Sequence, residues 1–131
     1  MIEAQLNFAI RPYDVDVAGI VSNIVYVRWL EDLRMELLRQ HHQMRDLIGR
    51  DLMPVIVRTE IDYRASLRFH DECTGHMRVA AIGRTSATMR AIFRNQKGNT
   101  VAEATQISVF VDPHTGKPVP LPDEVRILVE G

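Results

Sequence analysis

The 131-residue chain has one cysteine, Cys73, so it cannot close an internal disulfide. It also lacks any Cys/His array with zinc-ligand spacing, and no metal or other cofactor is expected. An excess of one charge is missing too: sixteen basic side chains face seventeen acidic ones, for a formal charge of −1. A general nucleic-acid binder carries a basic surplus, so no nucleic-acid partner is expected. No apolar run approaches the ~20 residues that span a bilayer, which argues against a membrane partner. The opening Met1-Ile2-Glu3-Ala4-Gln5 has neither the basic nor the apolar region of a secretion signal, so a cytoplasmic location is expected. Lysine is scarce: two, against fourteen arginines. Arginine's planar fork suits phosphate and carboxylate, although codon bias produces the same skew.

What is present is an ordinary globular balance, 46% apolar and 25% charged. A chain of this length buries roughly 65–70% of its unfolded surface, enough for a core without staples. There are no repeats, low-complexity tracts or linkers, so a single domain over residues 1–131 is expected.

Leu6, Phe8 and Ile10 alternate with polar or small residues, which predicts a first strand ended by Pro12. From about Ile24 to Gln40 the period lengthens. Tyr26, Leu30, Leu33 and Leu37 recur every three or four residues, with Val27, Trp29 and Leu38 widening the stripe. Ser22 and Asn23 are good caps for this one long helix. A polar connection over 41–51 follows. Val55, Val57, Thr59, Ile61, Tyr63 and Ala65 then alternate with polar residues in a long half-buried strand. Two further strands begin at Met77 and Ala87, with Val79 and Ala81 continuing the inward phase of the first. Thr100 to Val111, apolar or small on both faces, reads as a central strand, and Leu121 to Val129 as a short helical turn. One helix with about five antiparallel strands implies an α+β layer in which the sheet curls round the helix.

Asp14-Val15-Asp16 is the first candidate for chemistry. An EF-hand loop fails, because Ala18 and Val25 stand where an oxygen ligand and a glutamate are required. An aspartyl-phosphate phosphotransferase needs a parallel α/β frame that the chain lacks. No Gly-x-Ser-x-Gly elbow supports a serine hydrolase. Cys73 has His70 and His76 three residues to either side, a conceivable dyad in what reads as a polar turn, and His41-His42 at the helix end complements the helix dipole. Asp16 ahead of a helix start has more content. Free N–H groups of a first helical turn converge on one place and can polarise a carbonyl, while a nearby carboxylate attacks it or takes a proton from water. An acidic loop that merely precedes a helix gives the same spacing.

The run from Tyr13 to Val21, followed by Tyr26-Val27-Arg28-Trp29-Leu30-Glu31-Asp32-Leu33-Arg34, resembles the hotdog-fold thioesterases, in particular the 4-hydroxybenzoyl-CoA thioesterase / YbgC-like acyl-CoA thioesterase family. Weaker agreement extends through Tyr63-Arg64 to Asp71-Glu72, the bend from Gly83 to Ser86, and Asp112 to Pro122. The resemblance implies a hotdog fold and hydrolysis of an acyl-CoA thioester to a carboxylic acid and CoA. It implies Asp16 as the catalytic carboxylate, nucleophile or general base, and the backbone N–H of Asn23 as oxyanion donor. It places Tyr26 and Glu31 on the substrate pocket, with Met53 and Pro54 in the segment Leu52 to Val55 contributed by a second subunit. Arg84 falls near a CoA phosphate position; Arg64 and Arg68 are alternatives. Ser22-Asn23 departs from the Tyr-His or Asn-Asn of many relatives, at the stretch that shapes the acyl pocket.

A homodimer or dimer of dimers is implied, its edge strands otherwise bare. An acyl-carrier-protein thioesterase and a non-catalytic acyl-CoA-binding hotdog protein are the alternatives. A hotdog dehydratase would need a histidine on the first half of the helix, where there is none.

Overall fold

The computed structural model describes residues 2–130. The chain runs β1 (Glu3–Phe8), a 3₁₀ turn (Pro12–Asp14), α1 (Asn23–Gln40), α2 (His42–Leu47), β2 (Met53–Tyr63), β3 (Cys73–Ile82), β4 (Ser86–Asn95), β5 (Thr100–Val111) and α3 (Asp123–Glu130). The five strands form one antiparallel sheet in the order β1-β3-β4-β5-β2. β5 is internal, and the sheet wraps the apolar face of α1 in the hotdog arrangement. Among the described residues no helix is long and apolar enough to cross a membrane.

α1 buries Val25, Tyr26, Trp29, Leu30, Leu33 and Leu37. Leu30 and Leu33 are fully enclosed, each worth about 1.5–3 kcal/mol on transfer from water. Val27, expected on the same stripe, is instead 43% exposed on the outer side of the helix. Around the first half of α1 the core is aromatic. Phe8 stacks on Trp29 at 4.8 Å, and Tyr26 meets Trp29, Phe93 and Tyr63 edge-on at 5.3, 5.4 and 5.5 Å. Gly75 makes this packing possible: a Cβ there would sit 2.6 Å from the Phe8 ring and 3.0 Å from Phe93.

Two strands depart from simple alternation. β2 is an edge strand and mostly exposed rather than half-buried, because only one neighbour covers it. Its register slips between Ile56 and Arg58, so Val57 is bulged. Residues directly opposite share a face. Pro54 and Ile56 therefore point inward with Phe110 and Ser108, and beyond the bulge Thr59, Ile61 and Tyr63 do so with Gln106, Ala104 and Ala102. Val55 and Val57, expected inside, are 39% and 58% exposed. β3 slips likewise between Val79 and Ala81, which leaves Ala81 exposed and turns Ile82 inward, opposite buried Ala87. An extra residue reverses the facing of everything after it and bends the strand. The polar connection over 41–51 holds the short α2, which a hydrophobic stripe does not announce.

Burial pushes the Cys73 thiol up from 9.0 to about 12, and raises the Tyr26 phenol for the same reason. Ionisation is thus opposed in the folded chain and free in the unfolded one. The stability this supplies is complete below about pH 9 and fades as the pH climbs toward the folded values. The urea midpoint is expected to fall between about pH 8 and about pH 10.5, and less steeply in Cys73→Ala. A midpoint independent of pH over that range contradicts the burial of both groups.

Candidate active site

The two acids of Asp14-Val15-Asp16 do different work. Asp14 is buried, and its Oδ2 accepts the Arg11 N–H at 2.8 Å, bracing the 3₁₀ turn. Asp16 is exposed at the far end of a small hairpin in which Val15 pairs with Val21. The Ser22 N–H donates to the Asp14 carbonyl and the Asp16 N–H to the Ile20 carbonyl, each at 2.9 Å. Gly19, at φ +80°, closes the turn in a conformation that costs other residues more. Asp16 Oδ1 accepts the Ala18 N–H at 2.9 Å and the Ile20 N–H at a long 3.4 Å. Its Oδ2 makes no hydrogen bond among the described residues.

This hairpin feeds straight into α1. Ser22 occupies the cap position but its hydroxyl caps nothing. The first amides of a helix have no intrahelical partner, so the Asn23 and Ile24 N–H groups point outward with the helix dipole behind them. The Tyr63 hydroxyl donates to the Asn23 carbonyl at 3.3 Å, fastening the helix start to the end of β2. The Val21 N–H donates to the Leu67 carbonyl at 2.8 Å, and Ile20 bridges to Arg68. The Arg68 guanidinium accordingly lies over Gly19, 3.7 Å from where a Cβ would stand.

A second feature lies at the other end of α1. A cavity of about 850 Å³ opens between the C-terminal half of α1, α2 and the inner face of the sheet. Its walls are mainly apolar, with Leu37, Met44, Met89 and Phe110 among them, together with Ile56 and Val79, which immediately precede the two bulges. Glu31, Met53 and Pro54 line it together. Asp16, Asn23, Tyr26 and Arg84 do not. Tyr26 is 2% exposed within the aromatic cluster. Arg84 is exposed in the β3–β4 bend, where its carbonyl accepts the Leu121 N–H at 2.9 Å and Arg126 Nη2 at 3.1 Å. Arg64 is occupied by Glu103 at 3.0 Å and Asp62 at 3.8 Å.

The remaining sequence candidates separate cleanly. Cys73 is buried in the core with its thiol held protonated, and His76 faces Glu3 at 3.1 Å on β3, so the two form no dyad. Among the described residues no three His, Cys, Asp or Glu side chains gather as a metal site. Three polar residues of the cavity region escape a reading of the sequence. Arg34 Nη1 donates to Gln106 Oε1 at 2.6 Å, Gln106 Nε2 donates to Thr59 Oγ1 at 3.0 Å, and Ser108 stands two residues further along β5. The available signal was the even spacing of Gln106 and Ser108 with Ala102 and Ala104, which puts them on the buried face.

Comparison with known proteins identifies the family. The sequence profile of the Thioesterase-like superfamily matches residues 10–128. The chain is 28% identical over 122 residues to the acyl-CoA thioester hydrolase YbgC of Escherichia coli O6:H1, covering 91% of each chain. It is 26% identical over 127 residues to the long-chain acyl-CoA thioesterase FadM of Escherichia coli K12, covering 96% of each. Among solved structures it superposes on a thioesterase from Thermus thermophilus complexed with coenzyme A and Zn, with a TM-score of 0.82 and 25% identity, covering 96% of this chain and 91% of that one. A profile match over nearly the whole length, joined to a hotdog sheet around α1, settles the family: the chain belongs to the Thioesterase-like superfamily.

Proposed function

We propose that this protein is an acyl-CoA thioesterase, a single hotdog domain that hydrolyses an acyl-CoA to a carboxylic acid and CoA. The observation that carries the reading is the uncapped start of α1 at Asn23, preceded by a hairpin that presents the Asp16 carboxylate with one oxygen unengaged. The thioester carbonyl oxygen accepts the Asn23 N–H, where charge developing on it meets the positive end of the helix dipole. Asp16 Oδ2 then either attacks the carbonyl carbon or takes a proton from the water that does. When water attacks, Asp16 passes the proton it took to the leaving sulfur as the carbon–sulfur bond breaks. When Asp16 attacks, CoA leaves as a thiolate that solvent protonates, and water then hydrolyses the aspartyl–acyl anhydride to the free acid and restores Asp16. The names of YbgC and FadM, both thioester hydrolases of acyl-CoA, support the substrate class. Arg68, beside the Asp16 hairpin and free of ion pairs among the described residues, is the guanidinium best set for a CoA phosphate.

The functional unit is a homodimer in this reading. Ile24, Val27 and Met35, 57%, 43% and 61% exposed, form an apolar stripe with Glu31 along the outer side of α1. One edge of β2 is unpaired as well. A second copy covers both when the helices lie side by side and the β2 edges meet, and the Asp16 hairpin of one chain then faces the cavity of the other.

Thiol release from a panel of acyl-CoAs tests the chemistry. Wild type is expected to hydrolyse at least one, and Asp16→Asn to lower kcat by about hundredfold or more. Undiminished turnover in Asp16→Asn contradicts the assigned role. Sedimentation tests the assembly. Wild type is expected as a dimer, and Val27→Asp combined with Met35→Asp as an inactive monomer. A monomeric, active wild type overturns the shared site.

A further inference from the structure

The cavity wall is mainly apolar. Exposed Glu31, Asp32, Arg39 and Arg45 and the Arg39-paired Glu36 also line it, and two more deeply set polar groups are not fully satisfied among the described residues. Ser108 is 3% exposed, and its hydroxyl oxygen has no hydrogen-bond partner among the described residues. A buried hydroxyl without a partner costs about 1–3 kcal/mol, so such groups call for an explanation. Arg34 is the second. Its side chain is 24% exposed, and among the described residues its only carboxylate within reach is Glu31 at 4.0 Å, itself 70% exposed. Burial lowers the Arg34 pKa and Glu31 only partly offsets it, the sign of a cation lacking full compensation.

Arg34 is nevertheless held firmly. Gln106 is 2% exposed; a guanidinium can only donate, so Oε1 must be the amide atom that receives Arg34 Nη1, and Nε2 is left to donate to Thr59. A neutral acceptor thus anchors one nitrogen of the guanidinium and leaves most of its five donors for something else. Gln106 and Ser108 share the inner face of β5, about 7 Å apart at ~3.4 Å per residue. Arg34 and Ser108 are both cavity-lining. A site meant only for hydrocarbon has no use for a braced guanidinium and an orphaned hydroxyl, since each is costly to bury against an alkyl chain.

Resting on the thioesterase reading, we infer that the preferred acyl group carries an oxygen acceptor at its far end, a hydroxyl or a carboxylate, bound in this cavity by Arg34 and Ser108. Ser108 donates its hydroxyl proton to that oxygen. Arg34 adds one or two N–H donors, and a carboxylate gains most because it can take the guanidinium edge-on. The apolar walls then hold the intervening carbons.

Three ketone analogues of acyl-CoA of equal chain length, with methylene in place of the thioester sulfur, test this without hydrolysis. One ends in methyl, one in hydroxyl, one in carboxylate, and calorimetry gives each Kd. Wild type is expected to bind an oxygen-ended analogue about tenfold or more tighter than the methyl-ended one, because a polar site rejects the ligand that leaves it unpaired. Ser108→Ala is expected to reduce the preference for hydroxyl, and Arg34→Gln the preference for carboxylate. Ser108→Ala removes one orphaned atom and leaves the Gln106 network whole, so the comparison survives if Arg34→Gln fails to fold. Equal or better binding of the methyl-ended analogue overturns the inference and leaves the thioesterase reading standing. An oxygen preference unchanged in Ser108→Ala and in a folded Arg34→Gln overturns the assignment to these residues. No binding of any analogue removes both the inference and the thioesterase reading beneath it.

Discussion

The packing of α1 against the inner face of the sheet constrains every other feature, and its two halves pack differently. Around Tyr26 and Trp29 the gap is filled by aromatic rings, with Gly75 giving way so that Phe8 and Phe93 can close in. Around Leu37 the helix and sheet stand apart, and the cavity lies between them. The hydrogen bond from Arg34 to buried Gln106 spans this second half, tying helix to sheet where hydrophobic contact thins out. A core filled throughout would be more stable and would leave no cavity.

The solid half gives the helix start its precision. The rings behind Tyr26, the Tyr63 hydroxyl on the Asn23 carbonyl and the Val21–Leu67 bond together fix where the first amides of α1 point. Fixed dipoles need no reorganisation when charge develops on a bound oxygen, which is the advantage of building such a site on a packed helix rather than on a loop. Asp16, by contrast, sits on an exposed hairpin tip with one long hydrogen bond, free to exchange its loop contacts for substrate. In the proposed dimer a rigid donor and an adaptable carboxylate are brought to a cavity that neither borders within its own chain.

Much of this was legible in the sequence. The three-to-four spacing from Tyr26 to Leu37 marks α1 within a residue of its observed start, and the two-sided apolar character of 100–111 places β5 inside the sheet. The bulges at Val57 and Ala80 were not legible, because one added residue in a run of valines and alanines leaves no trace in composition. They shift the inward phase along each strand, so Val55, Val57 and Ala81 do not face the core as the alternation suggests. α2 was hidden for a related reason: its six residues, His42 to Leu47, are too few and too polar to show a stripe. At the site, the Asp-x-Asp motif draws attention to both acids, but only the fold separates buried Asp14 from exposed Asp16. The cavity is assembled from residues far apart in the chain, so no local pattern announces Arg34, Gln106 and Ser108 as neighbours.

The most direct test of the central claim is a crystal structure of the protein with a non-hydrolysable acyl-CoA ketone analogue. The account predicts the ketone oxygen at about 3 Å from the Asn23 N–H, with the acyl chain running into the cavity lined by Met53, Pro54 and Glu31 of the facing subunit. A carbonyl bound away from the start of α1, or an acyl chain lying outside that cavity, would contradict it.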